Sequence, residues 1–125
     1  MPDRRHPRGL IDTSVVIDLQ LIEPTDLPVE IAVSAITMAE LAAGPHATTD
    51  PAERARRQDR LQRTEATFEP LSVDSAVARA YGRVYAAVGA SGRKARGRRA
   101  VDLLIAATAV AAGRGAAACV VPGSR

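Results

Sequence analysis

Apolar and polar positions along the 125 residues fall into short hydrophobic runs separated by longer helical stretches, the rhythm of an α/β chain. Residues 9 to 12 (GLID) read as a short strand ending in an acid, and Thr13-Ser14 then opens a helical pattern through Val15, Val16 and Leu19. A second apolar run covers residues 31 to 34 (IAVS). Thr37-Met-Ala-Glu40-Leu-Ala-Ala-Gly44 follows as a predicted short helix, with Glu40 in its first turn and Gly44 as a left-handed cap. Asp50-Pro51-Ala52-Glu53 is a helix start with proline at its first position, and the helix leads to about Ala66. Phe68 to Val73 is predicted as a strand, and Asp74 as the cap of a helix from Ser75 to Val88. The segment VDLLIAATAVAAG from Val101 is so uniformly apolar that a helix there should be buried on nearly all sides. Alternation of strands and helices predicts a parallel sheet. The two helices between Thr37 and Ala66 would form a helical arm, a surface for a partner or for a second copy in a homodimer.

Three carboxylates interrupt these apolar runs: Asp12, Glu40 and Asp102. Burying an ionised carboxylate is costly unless it is paired, hydrogen-bonded or coordinated, and a shared divalent cation would explain all three at once. All lie at predicted strand ends or helix beginnings, where ligand sites collect in open α/β sheets. Each acid also has an ordinary role open to it. Thr37 and Glu40 have capping-box spacing, Asp102 could complement a helix dipole, and Asp12 could be a turn acid. Jointly these roles explain less, because caps do not require the most apolar runs of the chain. Asp18, one turn after Ser14, is predicted to face solvent.

The segments IDTSVVIDL, VSAITMAELAAG and RRAVDLLIAATAVA, in this order, resemble the PIN-domain ribonucleases, and most closely the toxin subunits (VapC) of VapBC-type toxin–antitoxin pairs. The resemblance spans roughly residues 9 to 113. It implies a three-layer α/β/α sandwich around a central parallel sheet, and a Mg²⁺- or Mn²⁺-dependent endoribonuclease with an RNA substrate and a cognate VapB-type antitoxin. Asp12, Glu40 and Asp102 would be its catalytic, metal-binding acids, with Ser14 (or Thr13) supporting the site through its hydroxyl. The chain departs from the family pattern after Asp102, where no further acid occurs and the family's fourth acid has no counterpart. The alternative is therefore a catalytically weakened PIN-like module that binds antitoxin or RNA without efficient cleavage. A haloacid-dehalogenase-type phosphatase would need a second acid two residues after the first, and that place holds Ser14.

Charge adds a candidate RNA contact. Seventeen Lys and Arg against fourteen Asp and Glu give a net charge of +3, unevenly spread. Arg93, Lys94, Arg96, Arg98 and Arg99 form a glycine-punctuated loop before the Asp102 helix, suited to a phosphodiester backbone without sequence reading. Arg54, Arg56, Arg57, Arg60 and Arg63 share one predicted helix and read as a solvated face. Phe68, Tyr81 and Tyr85 are too few for a base-stacking platform, and the two tyrosines recur at helical spacing with Val77, Val84 and Val88, as packing residues do. Neither His6 nor His46 has a companion at metal-ligand spacing, which disfavours a histidine base. The lone cysteine, Cys119, excludes a disulfide within the chain and reads as a buried structural thiol.

Residues 1 to 8 are expected to be a basic disordered tail, and residues 9 to 125 a single domain. The longest uncharged apolar run, Leu103 to Gly113, is far shorter than the roughly 20 residues of a membrane span. No membrane association and a cytoplasmic location are expected.

Overall fold

The computed structural model of the chain describes residues 8–89 and 98–113. Most of the expected tail, the basic residues Arg93, Lys94 and Arg96, and Cys119 lie outside the described residues. The elements are β1 (Arg8–Leu10), α1 (Thr13–Ile17), β2 (Glu30–Ala32), α2 (Ala35–Ala43), α3 (Pro51–Thr67), α4 (Ser75–Gly89) and α5 (Arg98–Ala111). Short 3₁₀ turns at Leu19–Leu21, Pro24–Asp26 and Gly44–Ala47 connect them.

β1 and β2 run parallel, with Gly9 opposite Ile31 and Leu10 opposite Ala32. The ladder continues one step, the Ile11 amide donating to the Ala32 carbonyl at 2.9 Å. On the far side Ser34 bridges to Leu71, again in parallel, through Leu71 N to Val33 O at 2.9 Å and Ala35 N to Leu71 O at 2.8 Å. The strand expected over 68–73 is reduced to this bridge. Pro70 has no amide to give a ladder, and the Phe68 amide is still held by the last turn of α3 at Thr64 O, 2.9 Å.

Side chains on a strand alternate between faces, and the core follows that period. Leu10 and Ala32 point to one side, where they meet Ile105 and Ala109 of α5. Ile11 and Val33 point to the other and pack with Val15, Val16 and Leu41 of α1 and α2. α4 lies on α5 through Val77 and Ala80 against Ala107. Helices therefore cover both faces of a parallel sheet, the three-layer α/β/α arrangement expected from the sequence. Among the described residues, no helix is long and apolar enough to cross a membrane.

Four local expectations need correction. Asp18 is buried, not solvent-facing: α1 stops at Ile17, the Asp18 amide closes on Ser14 O at 3.1 Å, and the following 3₁₀ turn folds back over it through Leu21 N to Asp18 O at 2.7 Å. Gly44 is right-handed (φ −53°, ψ −49°) and is no left-handed cap, because the chain winds on into the turn that contains Pro45. Ser34, rather than Thr37, caps α2, so Glu40 falls in the second turn and no Thr37–Glu40 capping box exists. α5 begins at Arg98, which puts Arg98 and Arg99 in its first turn instead of in a loop and leaves Asp102 one turn in, exposed on a helix otherwise largely buried.

Candidate functional site

Asp12 ends the β1 segment and caps α1. Its Oδ1 accepts the Val15 amide at 3.0 Å and the Ser14 hydroxyl at 2.9 Å. Both bonds fall on the same oxygen, so the carboxylate is oriented by its own helix, and Oδ2 accepts no hydrogen bond from the described residues. Asp12 is half-buried and Ser14 exposed, which puts the pair at a surface a substrate can reach.

Glu40 reaches the same place from α2. Its Oε1 accepts the hydroxyl of Thr13, the residue after Asp12, across a sequence separation of 27. Thr13 in turn lies 3.2 Å from the Thr37 hydroxyl, and Thr37 lies 3.4 Å from the Ser34 hydroxyl, which also accepts the Thr37 amide at 3.1 Å. Ser34 and Thr37 are fully buried, and Thr13 nearly so. A hydroxyl carries one proton. If Thr13 gives its proton to the carboxylate, Thr37 must donate to Thr13 and Ser34 to Thr37, so the chain of hydroxyls has one direction and ends on Glu40. Sequence reasoning named Thr37 as a cap partner and missed Ser34; the only signal was a run of hydroxyls at spacing three on an apolar helix.

Asp102 stands on α5, whose preceding residue Val101 packs against the cluster containing Leu10 of β1, a cluster that Ile36 of α2 also packs against. Among the described residues, no three His, Cys, Asp or Glu side chains form a group that could hold a metal ion. The structure thus links Glu40 to the residue beside Asp12 and does not gather Asp102 with them. Oxygen donors alone suit a hard divalent cation, and Mg²⁺ is usually held by one or two carboxylates completed by water and phosphate oxygens. Asp12 and Glu40 fit that requirement.

The floor beside Glu40 is an open cavity lined by Thr13, Ile17, Glu40, Leu41, Gly44, Glu53, Arg57 and Arg60. Arg57 bonds Glu53 Oε2 at 2.8 Å and the Gly44 carbonyl at 2.9 Å, and Arg56 takes Glu53 Oε1. The hydrogen bonds from Arg57 and then Arg56 hold the Glu53 carboxyl below its ordinary value. His46 lies away from this site, in a cavity with Pro45, Pro51 and Arg54.

A family model for the PIN domain matches residues 9–117. The structure of VapBC-5 from Mycobacterium tuberculosis, a member of the VapBC family of toxin–antitoxin systems, is similar to this chain at a TM-score of 0.71 and 35% identity, covering 86% of this chain and 81% of that one. VapBC2 from Rickettsia felis, bound to a DNA fragment from its promoter, shares the fold at a TM-score of 0.64 and 20% identity, covering 86% and 83%. No curated protein matches the sequence. With the matched segment containing Asp12, Glu40 and Asp102, the chain belongs to the PIN-domain family and, within it, is similar to a VapBC toxin–antitoxin member.

Proposed function

We propose that the protein is the toxin of a toxin–antitoxin pair, an endoribonuclease that depends on Mg²⁺ or Mn²⁺ and is held in check by a VapB-type antitoxin. The observation that carries this reading is the bond from Thr13 to Glu40, which ties the second acid to the residue beside Asp12 at the end of β1. Asp12 and Glu40 would hold the cation, Asp102 would approach from α5, and Ser14 steadies Asp12 through Oδ1. A cation bound there supplies charge neutralisation at the scissile phosphate and an acidified water. The chain's own part is orientation: Thr13 fixes Glu40, the Val15 amide fixes Asp12, and the basic residues Arg93, Lys94, Arg96, Arg98 and Arg99 hold the RNA backbone without reading bases. No histidine is needed as base. A homodimer, with the α2–α3 arm or α4 as its contact, completes the reading.

The reading is tested by incubating the protein with single-stranded RNA and either Mg²⁺ or Mn²⁺. Cleavage that chelator abolishes and Asp12→Asn removes supports it. A second reading is favoured by the absence, among the described residues, of a three-acid metal group: a PIN-like module that binds antitoxin or RNA and turns over little. Antitoxin binding without cleavage under either metal would select it.

A further inference from the structure

Of the five arginines on α3, four have structural work. Arg54 donates to the carbonyls of Pro45 and Thr48 at 3.1 and 2.9 Å, Arg56 and Arg57 share Glu53, and Arg63 pairs with Asp59 at 2.9 Å. The Arg60 guanidinium has no such partner among the described residues, although Arg60 is half-buried. Its helix neighbours three and four positions away are Arg56, Arg57, Arg63 and Thr64, so no carboxylate on α3 can reach it and three like charges surround it. Among the described residues, Arg60 is thus left without a carboxylate while its three arginine neighbours are each paired with one. It lines the cavity that also holds Thr13 and Glu40, with Glu53 on the same wall already saturated by Arg56 and Arg57.

We propose that Arg60 is a substrate-binding residue that takes the RNA phosphate next to the scissile one, in the cavity it lines together with Glu40. The inference rests on the nuclease reading above and extends it to a side chain outside the basic residues near α5. The cavity is lined by Glu40 as well as by Arg60, while its other two charged residues, Glu53 and Arg57, are paired with each other, so a strand lying in it would bring one phosphate to Glu40 and leave a neighbouring phosphate for the Arg60 guanidinium. Guanidinium suits this place because it binds phosphate oxygens in a bidentate fork. An acidic segment of the antitoxin would satisfy the same charge. Lining the same cavity as Glu40 favours RNA, since the substrate must reach Glu40 while the protein is active.

The experiment measures binding of a labelled single-stranded RNA by anisotropy across a salt series, together with kcat and KM, for wild type, Arg60→Gln, Arg60→Lys and Arg63→Gln. Arg60→Gln should weaken binding and raise KM about tenfold, with kcat changed much less, and should reduce the salt slope by about 0.7, one single-strand phosphate contact. Arg63→Gln, whose partner is Asp59, should match wild type. Without RNA, Arg60→Gln should melt close to the wild-type temperature, because the guanidinium gives up no bond or ion pair among the described residues. If it melts lower, Arg60→Lys decides: a stably folded lysine variant that keeps the salt slope supports the proposal, and one that loses it overturns it. Unchanged RNA affinity in Arg60→Gln, with or without loss of antitoxin affinity, overturns the proposal and leaves the nuclease reading standing. Wild-type protein that neither binds nor cleaves RNA overturns both.

Discussion

At the scale of single residues, Asp12 caps α1 and, on the proposed reading, also holds a cation, and chemistry can separate the two. As the cap of α1 it accepts the Val15 amide, and asparagine caps a helix as well as aspartate does. As a cation ligand it needs a charge that asparagine lacks. Asp12→Asn should therefore melt close to wild type and lose RNA cleavage, whereas Asp12→Ala should lose cleavage and also about 1 kcal/mol of stability; equal melting of the two variants would deny the capping role. The hydroxyls behind Glu40 make a second test. Thr37→Val keeps the shape, removes the donor that Thr13 needs and leaves buried oxygens unmatched, at a cost of about 1–3 kcal/mol by chemical denaturation. Calorimetric titration should also show weaker Mn²⁺ binding in Thr37→Val, restored by Thr37→Ser, and unaltered Mn²⁺ affinity in the valine variant would separate the hydroxyl chain from the site. These residues differ in how visibly the sequence displayed them. Asp12 was legible because an acid after an apolar run and before Thr-Ser marks a strand-to-helix junction. The Thr13–Glu40 bond was not, since no local pattern reports a contact between residues 27 apart. Asp18 was placed on the wrong side because the end of α1 at Ile17 depends on a turn that only the tertiary structure closes.

At the scale of elements, α2 and α3 are joined by arginine as well as by apolar contact, Leu61 packing against the cluster that contains Leu41. Arg57 clamps the Gly44 carbonyl and Glu53, and Arg54 takes carbonyls from the turn between the helices, so the arm is set by charge-assisted bonds at its hinge. Glu53 anchors two of these arginines, and its pKa direction gives a pH dependence. Its folded pKa lies below its unfolded value, first through Arg57 and then through Arg56, so the stabilisation is present at neutral pH. It fades as pH falls through the ordinary glutamate range, about 4.3, and is gone below the folded value. Glu53→Gln should accordingly melt below wild type at pH 7, with the gap closing under acid; a gap constant down to pH 3 would mean that Glu53 acts through packing alone. The arm's existence was legible from Asp50-Pro51 and from the helical spacing that follows. Its cap at Ser34 was not, because Ser34 and Thr37 are both hydroxyls with acceptable cap spacing, and only the bond from the Thr37 amide to Ser34 decides between them.

At the scale of the whole molecule, α5 is the element on which the third acid depends. It meets the sheet through Ile105 and Ala109 against Leu10 and Ala32, and meets α4 through Ala107 against Val77 and Ala80. Ala109, small and wholly buried, leaves no spare room in this contact. The uniform apolarity of this segment made its burial legible while concealing that Asp102 faces out, since a run with apolar residues on every side does not say which side is covered. Position and chemistry can be uncoupled here by moving the helix without touching any acid. Ala109→Leu adds volume to a filled contact, which typically costs about 1–3 kcal/mol and shifts the backbone it sits on. The shift carries Asp102 relative to Asp12 and Glu40, which are held by β1, α1 and α2 on other contacts. If Asp102 serves the same cation, Ala109→Leu should raise the Mg²⁺ concentration needed for half-maximal cleavage as well as lowering the melting temperature, and adding Asp102→Asn should produce no further change in that requirement. A destabilised Ala109→Leu variant with wild-type metal dependence, in which Asp102→Asn is equally silent, would remove Asp102 from the site and leave the cation to Asp12, Glu40 and the phosphates of the substrate.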